Sequence, residues 1–300
     1  MGEADVSDLI DRLTSLRQYQ ESGRRSPHKP LLVLLALGHL VNTGSSLMQW
    51  QDVDERLGFL LQEFGPPRRG GPKPEYPFTR LRADMVWQLS RDVPDDQVRP
   101  LNQEPISGQF VPDLESRLVS DPSAPYKVAR GIVEQQFPMT IASDVLIATG
   151  LDPELVFSEG LDASVSVSER RRSSSWPREI LQAWDGSCAF CGFDGQLGGA
   201  SVAVEAAHVR WFKFEGPDEL DNGLALCSLH HKLFDRGVLG LRDPETVMVS
   251  EAFSARTDEG RRIYDLHGKR LSPRPGTALP AAGNIRWHLE EVFKAEALSA

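Results

Sequence analysis

The three cysteines of this 300-residue chain fall in two short knuckles, Cys188-x2-Cys191 and Cys227-x2-His230, separated by 35 residues. No other feature restricts the fold as tightly. Ligands with two residues between them fit a tight turn that points both donor atoms at one ion, and two such half-sites close a tetrahedral zinc site. The intervening chain must then fold back on itself, and the expected zinc is structural. Cysteines committed to one metal imply a reducing compartment, so the expected location is cytoplasmic.

His231 directly follows the last proposed ligand. Consecutive side chains on a helix diverge by about 100°, whereas residues three apart share a face. If His230 turns to zinc with Cys227, His231 points elsewhere, which suits a second, open metal site. Asp235 lies four residues beyond His231 on the same helical face, placed to orient the imidazole or an aqua ligand. Upstream, the apolar β-prone run VAVEAAHV, residues 202–209, ends near His208, and WFKFEGPDELDNG carries turn chemistry at Gly216-Pro217 and Asp221-Asn222-Gly223. The pattern reads as strand, loop, then a helix from about Ser228.

These residues resemble the HNH endonuclease family, in its McrA-like branch, through the AAH, NGLALC and HHxxFDxG segments over roughly residues 185–240. The resemblance implies a ββα-metal nuclease domain. In it His208 is the general base drawing a proton from the attacking water, and Asn222 holds the loop and orients that histidine through backbone hydrogen bonds. His231 would bind a catalytic divalent cation, Mg²⁺ or Mn²⁺, which stabilises charge on the phosphate and the leaving 3′ oxygen. Many members carry Asp or His immediately before the base as a further ligand. This chain has Ala207, so weak affinity for the cation is expected, with Asp235 as an outer partner.

The N-terminal half has a different character. Residues 3–21 repeat apolar side chains with helical period (Val6, Leu9, Ile10, Leu13, Leu16), which predicts a surface helix. GRRSPHKPLLVLLALGHL follows. Pro30 at the start of its apolar run suits the first turn of a buried helix, and Arg24, Arg25, His28 and Lys29 would then crowd the positive end of that helix, a seat for phosphate. A second amphipathic helix is expected over 52–64. GPPRRGGPKPE, residues 65–75, reads as a flexible basic loop. YPFTRLRADMVWQL suggests a strand pair around Ala83-Asp84, and 106–110 reads as a loop before short helices over 111–120 and 126–138. Near the C-terminus, 246–249 is strand-like, and the last segment, 285–293, is an amphipathic helix whose Trp287 packs on the nuclease domain and whose His288 is structural.

PHKPLLVLLALGHL, YPFTRL and the tryptophan strand are similar to the sulfur-binding domain of phosphorothioation-dependent restriction endonucleases, over roughly residues 5–150. That family reads DNA in which sulfur replaces a non-bridging phosphate oxygen. Sulfur is larger and less strongly hydrated than oxygen, so a small apolar cup favours it. The resemblance implies that Tyr76 and Pro77 line the cup, that His28, Lys29 and Arg80 hold the flanking backbone, and that the loop with Ser107 and Gly108 approaches base edges.

The chain is acidic overall, with a net charge of −10, yet its charge is unevenly spread, and distribution matters more than the sum. Between residues 22 and 82 there are nine Lys/Arg against five Asp/Glu, and a second basic run comprises Arg170, Arg171 and Arg172 with Arg178. The stretch from 151 to 176 loses hydrophobic periodicity and gains Ser and Arg. No apolar run reaches membrane length.

The expected architecture is α+β in two domains: an α-rich DNA-reading domain with a small sheet (1–155), a linker (156–175) and a zinc-stabilised HNH nuclease domain (176–300). The expected function is a type IV restriction endonuclease that recognises phosphorothioated double-stranded DNA and cuts nearby, acting as a homodimer or as two molecules on one target because one active site cuts one strand. Two alternatives remain at this point: an HNH nuclease that reads another modification such as methylcytosine, and a zinc-stabilised DNA-binding protein without catalysis.

Overall fold

The computed structural model describes residues 3–17, 23–158, 173 and 175–299. The chain divides into two compact units, Met1–Ser168 and Glu169–Ala300. Most of the expected linker, with Arg170, Arg171 and Arg172, lies outside the described residues. No helix among the described residues is long and apolar enough to cross a membrane.

The first unit is helix-rich. It comprises α1 (Glu3–Thr14), α2 (His28–Thr43), β1 (Met48–Gln49), α3 (Trp50–Phe64), α4 (Glu75–Arg80), β2 (Trp87–Leu89), α5 (Val98–Gln103), β3 (Ser107–Phe110), α6 (Pro112–Ser120), α7 (Ala124–Gln136), α8 (Met139–Thr149) and α9 (Pro153–Val156). Its centre is α2, in which residues 31–37 are fully buried. A helix apolar on every side must be enclosed, and α1, α3, α4, α7 and α8 all pack on α2. Gly38 permits the close approach of α8, since a Cβ there would sit 1.9 Å from the Thr149 carbonyl oxygen. Gly44, at φ 82°, caps the helix by donating its N–H to the Leu40 carbonyl. The N-terminal helix buries Leu9, Ile10 and Leu13, so it contributes to the core as well as to the surface.

Two expectations for this unit are corrected. Residues 76–89 do not form a strand pair. Pro74 and Pro77 stand at the helix start, where a missing N–H is harmless, so Phe78 and Leu81, three residues apart, bury one face of α4 and the 3₁₀ turn after it. Met85, at φ 60°, then turns the chain into β2. The segment 106–110 is likewise not a loop. Ser107–Phe110 is the central strand of an antiparallel sheet ordered β1-β3-β2, with Gly108 opposite Met48 on one side and Leu89 on the other. Gly108 is required by packing, because a Cβ would meet the Trp87 ring at 2.5 Å and the Phe78 ring at 2.8 Å. Rings continue through the core from Trp50 to Phe78, Trp87 and Phe110, with successive centroids 5.0, 6.1 and 5.8 Å apart.

The second unit comprises α10 (Trp176–Ala183), β4 (Gln196–Leu197), β5 (Ala200–Ser201), β6 (Val204–His208), β7 (Gly223–Cys227), α11 (Ser228–Asp235), β8 (Leu239–Asp243), β9 (Thr246–Val249), α12 (Asp258–Arg261) and α13 (Ala282–Glu291). Between the expected loop and the expected helix the chain forms β7, which pairs antiparallel with β6 from Val204↔Cys227 to His208↔Gly223. Its buried run of Gly, Leu, Ala and Leu reads as a strand covered on both faces. Ile180 of α10 closes over Gly223, where a Cβ would meet it at 2.1 Å. α11 packs on β6 and β7, completing a ββα unit. As expected, Trp287 packs within this unit, its ring centroid 5.7 Å from that of Trp211. His288 is buried, stacked on Phe234 at 3.8 Å, with Nε2 3.1 Å from the Phe234 carbonyl oxygen.

Candidate active site

The four zinc-ligand residues converge. Cys191 and Cys188 share a turn closed by the Gly192 N–H on the Cys188 carbonyl, and the Ala189 N–H donates to the Ala225 carbonyl, tying the turn to β7. Cys227 ends β7 and His230 lies in the first turn of α11, so one strand–helix junction supplies the other two ligands. His230 Nδ1 is 3.4 Å from Cys188 Sγ and 3.2 Å from Cys227 Sγ, and the four ligand atoms lie within 4.8 Å of one another. A tetrahedral zinc with bonds of about 2.0–2.3 Å separates its ligands by roughly 3.5–3.8 Å, so the donor set fits the ion in chemistry and size. Burial raises the Cys188 thiol, but the His230 hydrogen bond and the surrounding backbone amides outweigh it and draw the group down to about 6. Burial and the neighbouring Cys188 charge instead hold Cys191 and Cys227 up, so one thiolate forms readily and the other two need the ion's charge.

His208 is the last residue of β6. Its ring stacks on Trp176 with centroids 3.8 Å apart and planes 17° apart, and Nε2 lies 2.8 Å from Asp218 Oδ1. The second Asp218 oxygen accepts the Ser173 N–H at 2.6 Å. Asn222 is fully buried. Its Oδ1 accepts the Arg210 N–H, and its Nδ2 donates to the carbonyls of Arg210 and Pro217. One side-chain amide therefore staples both ends of the loop that runs from His208 to Asp218.

His231 lies between two carboxylates. Nδ1 is 2.9 Å from Glu205 Oε2, and Nε2 is 3.4 Å from Asp235 Oδ2. Asp235 is buried and its other oxygen accepts the Trp211 indole N–H at 2.9 Å. Burial lowers the basicity of His231, but the charge of Asp235 and the hydrogen bond and charge of Glu205 outweigh it, so its pKa is raised. Glu205 is lowered in turn, chiefly by the His231 hydrogen bond. Sequence reading placed His208, Asn222, His231 and Asp235 but missed Trp176, Glu205 and Asp218. The signal for Glu205 was its position in a strand otherwise apolar up to His208; nothing in the sequence marked Asp218 among its acidic neighbours.

In the first unit, His28 opens α2 with its pKa lowered to about 4, first by burial and then by the charges of Arg68 and Arg25, and is neutral at ordinary pH. Three nearby cations, Arg25, Lys29 and Arg80, are engaged within the protein. Arg25 is buried, donates to the Phe64 carbonyl at 2.6 Å and lies 6.0 Å from the Phe137 ring centroid. Lys29 pairs with Asp84 and donates to the Arg17 carbonyl. Arg80 pairs with Asp96 and lies 5.0 Å from the Tyr76 ring centroid. Tyr76 is half-buried and Pro77 buried in α4; Ser107 is half-buried in β3, while Gly108 lies beneath Trp87 and Phe78 rather than on an accessible loop.

Two family models match the chain: a ScoMcrA-like DNA sulfur-binding domain over residues 6–154 and an HNH endonuclease over residues 188–242. Among solved structures, the sulfur binding domain of SprMcrA complexed with phosphorothioated DNA is 22% identical, with a TM-score of 0.40, covering 49% of this chain and 94% of that one. The corresponding domain of ScoMcrA, also complexed with phosphorothioated DNA, is 21% identical with a TM-score of 0.41, covering 49% and 97%. The Type IV phosphorothioation-dependent restriction endonuclease ScoMcrA is 12% identical with a TM-score of 0.38, covering 94% and 87%. No curated protein matches the chain.

Proposed function

Because this chain joins a ScoMcrA-like DNA sulfur-binding domain to an HNH endonuclease domain, we propose that it is a phosphorothioation-dependent restriction endonuclease, in which the first domain selects modified duplex DNA and the second hydrolyses a phosphodiester nearby. The observation that carries this reading is the presence of both domains in one chain.

In the nuclease domain, His208 is the general base. With Nε2–H donated to Asp218, Nδ1 holds the lone pair that takes a proton from water, and the carboxylate stabilises the imidazolium that results. Stacking on Trp176 fixes the ring plane, and the Asn222 staple fixes the loop carrying Asp218. Cys188, Cys191, Cys227 and His230 hold a structural zinc that fixes the start of α11. A divalent cation held by His231, Mg²⁺ or Mn²⁺, supplies Lewis-acid stabilisation of the phosphate charge when bound. Asp235 orients the His231 ring.

In the recognition domain, Tyr76 and Pro77 line a weakly hydrated cup that favours sulfur over a hydrated oxygen, and neutral His28 holds the flanking backbone. Lys29, Arg80 and Ser107 flank it and position the backbone once the cations exchange their carboxylate partners for phosphate. Concerted double-strand cleavage uses two active sites, supplied by a homodimer or by two molecules on one target.

The test is cleavage of matched phosphorothioated, methylcytosine-containing and plain duplexes with Mn²⁺ or Mg²⁺. Cutting confined to the phosphorothioated duplex supports the reading. Equal cutting removes sulfur recognition and retains the nuclease, preferential cutting of a methylcytosine duplex installs that mark instead, and binding without cutting leaves a zinc-stabilised DNA-binding protein.

A further inference from the structure

His231 has two ring nitrogens facing two carboxylates in different surroundings. The Asp235 side chain is 3% exposed and its second oxygen is held by Trp211, so Asp235 is an orienting partner in a closed environment. The Glu205 side chain is 50% exposed and stands on the solvent side of the imidazole. A hydrated cation that must also meet a phosphate needs the open side. The two groups there are hydrogen-bonded to each other, and a cation taking the place of that bond needs little change in their separation. Octahedral ligands at about 2.0–2.2 Å from a small divalent cation lie roughly 3.0 Å apart when adjacent, and Glu205 Oε2 is 2.9 Å from His231 Nδ1. Ser228 Oγ donates to Glu205 Oε1 at 3.0 Å, which settles which oxygen is presented.

The geometry points to Glu205 as a second protein ligand of the catalytic cation, paired with His231 Nδ1 on its open side. This rests on the reading of His231 given above. Ala207 shares a strand face with Glu205 and offers no donor atom, so the longer glutamate two residues earlier supplies the carboxylate. Both groups are set by the same scaffold: Glu205 sits opposite Leu226 in the β6–β7 pair, and α11 begins directly after Cys227. One carboxylate and one imidazole leave the remaining positions to water and a phosphate oxygen, and the carboxylate supplies the oxygen donor that Mg²⁺ and Mn²⁺ favour. The oxygen–nitrogen pair also separates this site chemically from the thiolate clasp, which selects zinc.

The experiment measures Mn²⁺ binding to the full-length, zinc-replete protein by electron paramagnetic resonance, with cleavage in parallel, for wild type, Glu205→Gln, Glu205→Asp and His231→Ala. Zinc content and melting temperature establish that each variant is folded. The expected result is Mn²⁺ affinity weakened in Glu205→Gln by more than the roughly 10–100-fold that loss of an outer partner causes, partial recovery in Glu205→Asp, and loss in His231→Ala, with Glu205→Gln cleavage recovering at raised Mn²⁺. A smaller loss makes Glu205 a positioning residue and overturns the assignment. Unchanged Mn²⁺ affinity in folded Glu205→Gln, or no Mn²⁺ binding by wild type, overturns the assignment. If His231→Ala alone loses binding and cleavage, Glu205 is excluded and the His231 reading stands. If His231→Ala cleaves normally, the His231 reading fails with it.

Discussion

The two units solve the same problem by opposite means. The first surrounds α2, whose residues 31–37 are apolar and fully buried, with five other helices and threads aromatic rings through a small sheet, so apolar burial organises it, with ion pairs such as Lys29–Asp84 beside that core. The second is made of short pieces, two five-residue strands and an eight-residue helix around the site, with a three-cysteine, one-histidine cluster at their junction. Isolated elements of that length are marginal in water. The difference shows where each unit is vulnerable: the first to changes of volume, the second to loss of a ligand. It also separates their electrostatics, since the first buries His28 as a neutral group while the second holds His208 and His231 against carboxylates and His230 against thiols.

The largest effect expected from this contrast follows removal of the clasp. Chelation, or Cys188→Ala, should abolish the melting transition of the second unit while the first melts as before, because structural zinc contributes on the order of 10 kcal/mol to small domains. A single transition at an unchanged temperature would contradict the contrast. Next in size, His208→Ala should reduce cleavage by about 10²–10⁴-fold without weakening binding to phosphorothioated duplex; parallel loss of both would place His208 in recognition instead.

A smaller effect tests the first unit. The folded pKa of His28 lies at about 4, below its usual 6.5. Between those values the unfolded chain binds a proton that the folded chain does not, so stability is intact above about pH 6.5, falls as pH drops, and levels off near 4 after a loss of about 3 kcal/mol. Urea titrations across that range should show the slope in wild type and its loss in His28→Gln. Smallest is Gly108→Ala, which forces Trp87 and Phe78 apart. Overpacking costs about 1–3 kcal/mol, and calorimetry should assign the loss to the first transition alone.

The legibility of the sequence divides along the same line. Metal ligands announce themselves because tetrahedral geometry demands fixed spacings, so Cys188, Cys191, Cys227 and His230 were identifiable before any fold was known, and His231 by its divergence from His230. The buried helix was equally plain from Pro30 and the unbroken apolar run. What was not plain depended on long-range packing. Phe78 and Leu81 fit either a strand pair or one helical face, and only the prolines at 74 and 77 decide for the helix. Ser107–Phe110 contains Ser, Gly and Gln, poor strand formers, and becomes the central strand because Trp87 and Phe78 need the space above Gly108. Asp218 and Glu205 find their histidines across 10 and 26 residues, pairings that local spacing does not encode. Lys29 and Arg80 read as phosphate contacts in sequence, and in the fold each already holds an aspartate.

The most direct measurement is made on one sample in two states, zinc-replete and zinc-stripped full-length protein, with Mn²⁺ supplied to both and a phosphorothioated duplex as substrate. The account predicts that stripping the zinc leaves duplex binding at the same affinity and eliminates cutting, with cutting restored on adding zinc back. Cutting that survives the loss of zinc, or binding that disappears with it, would contradict it.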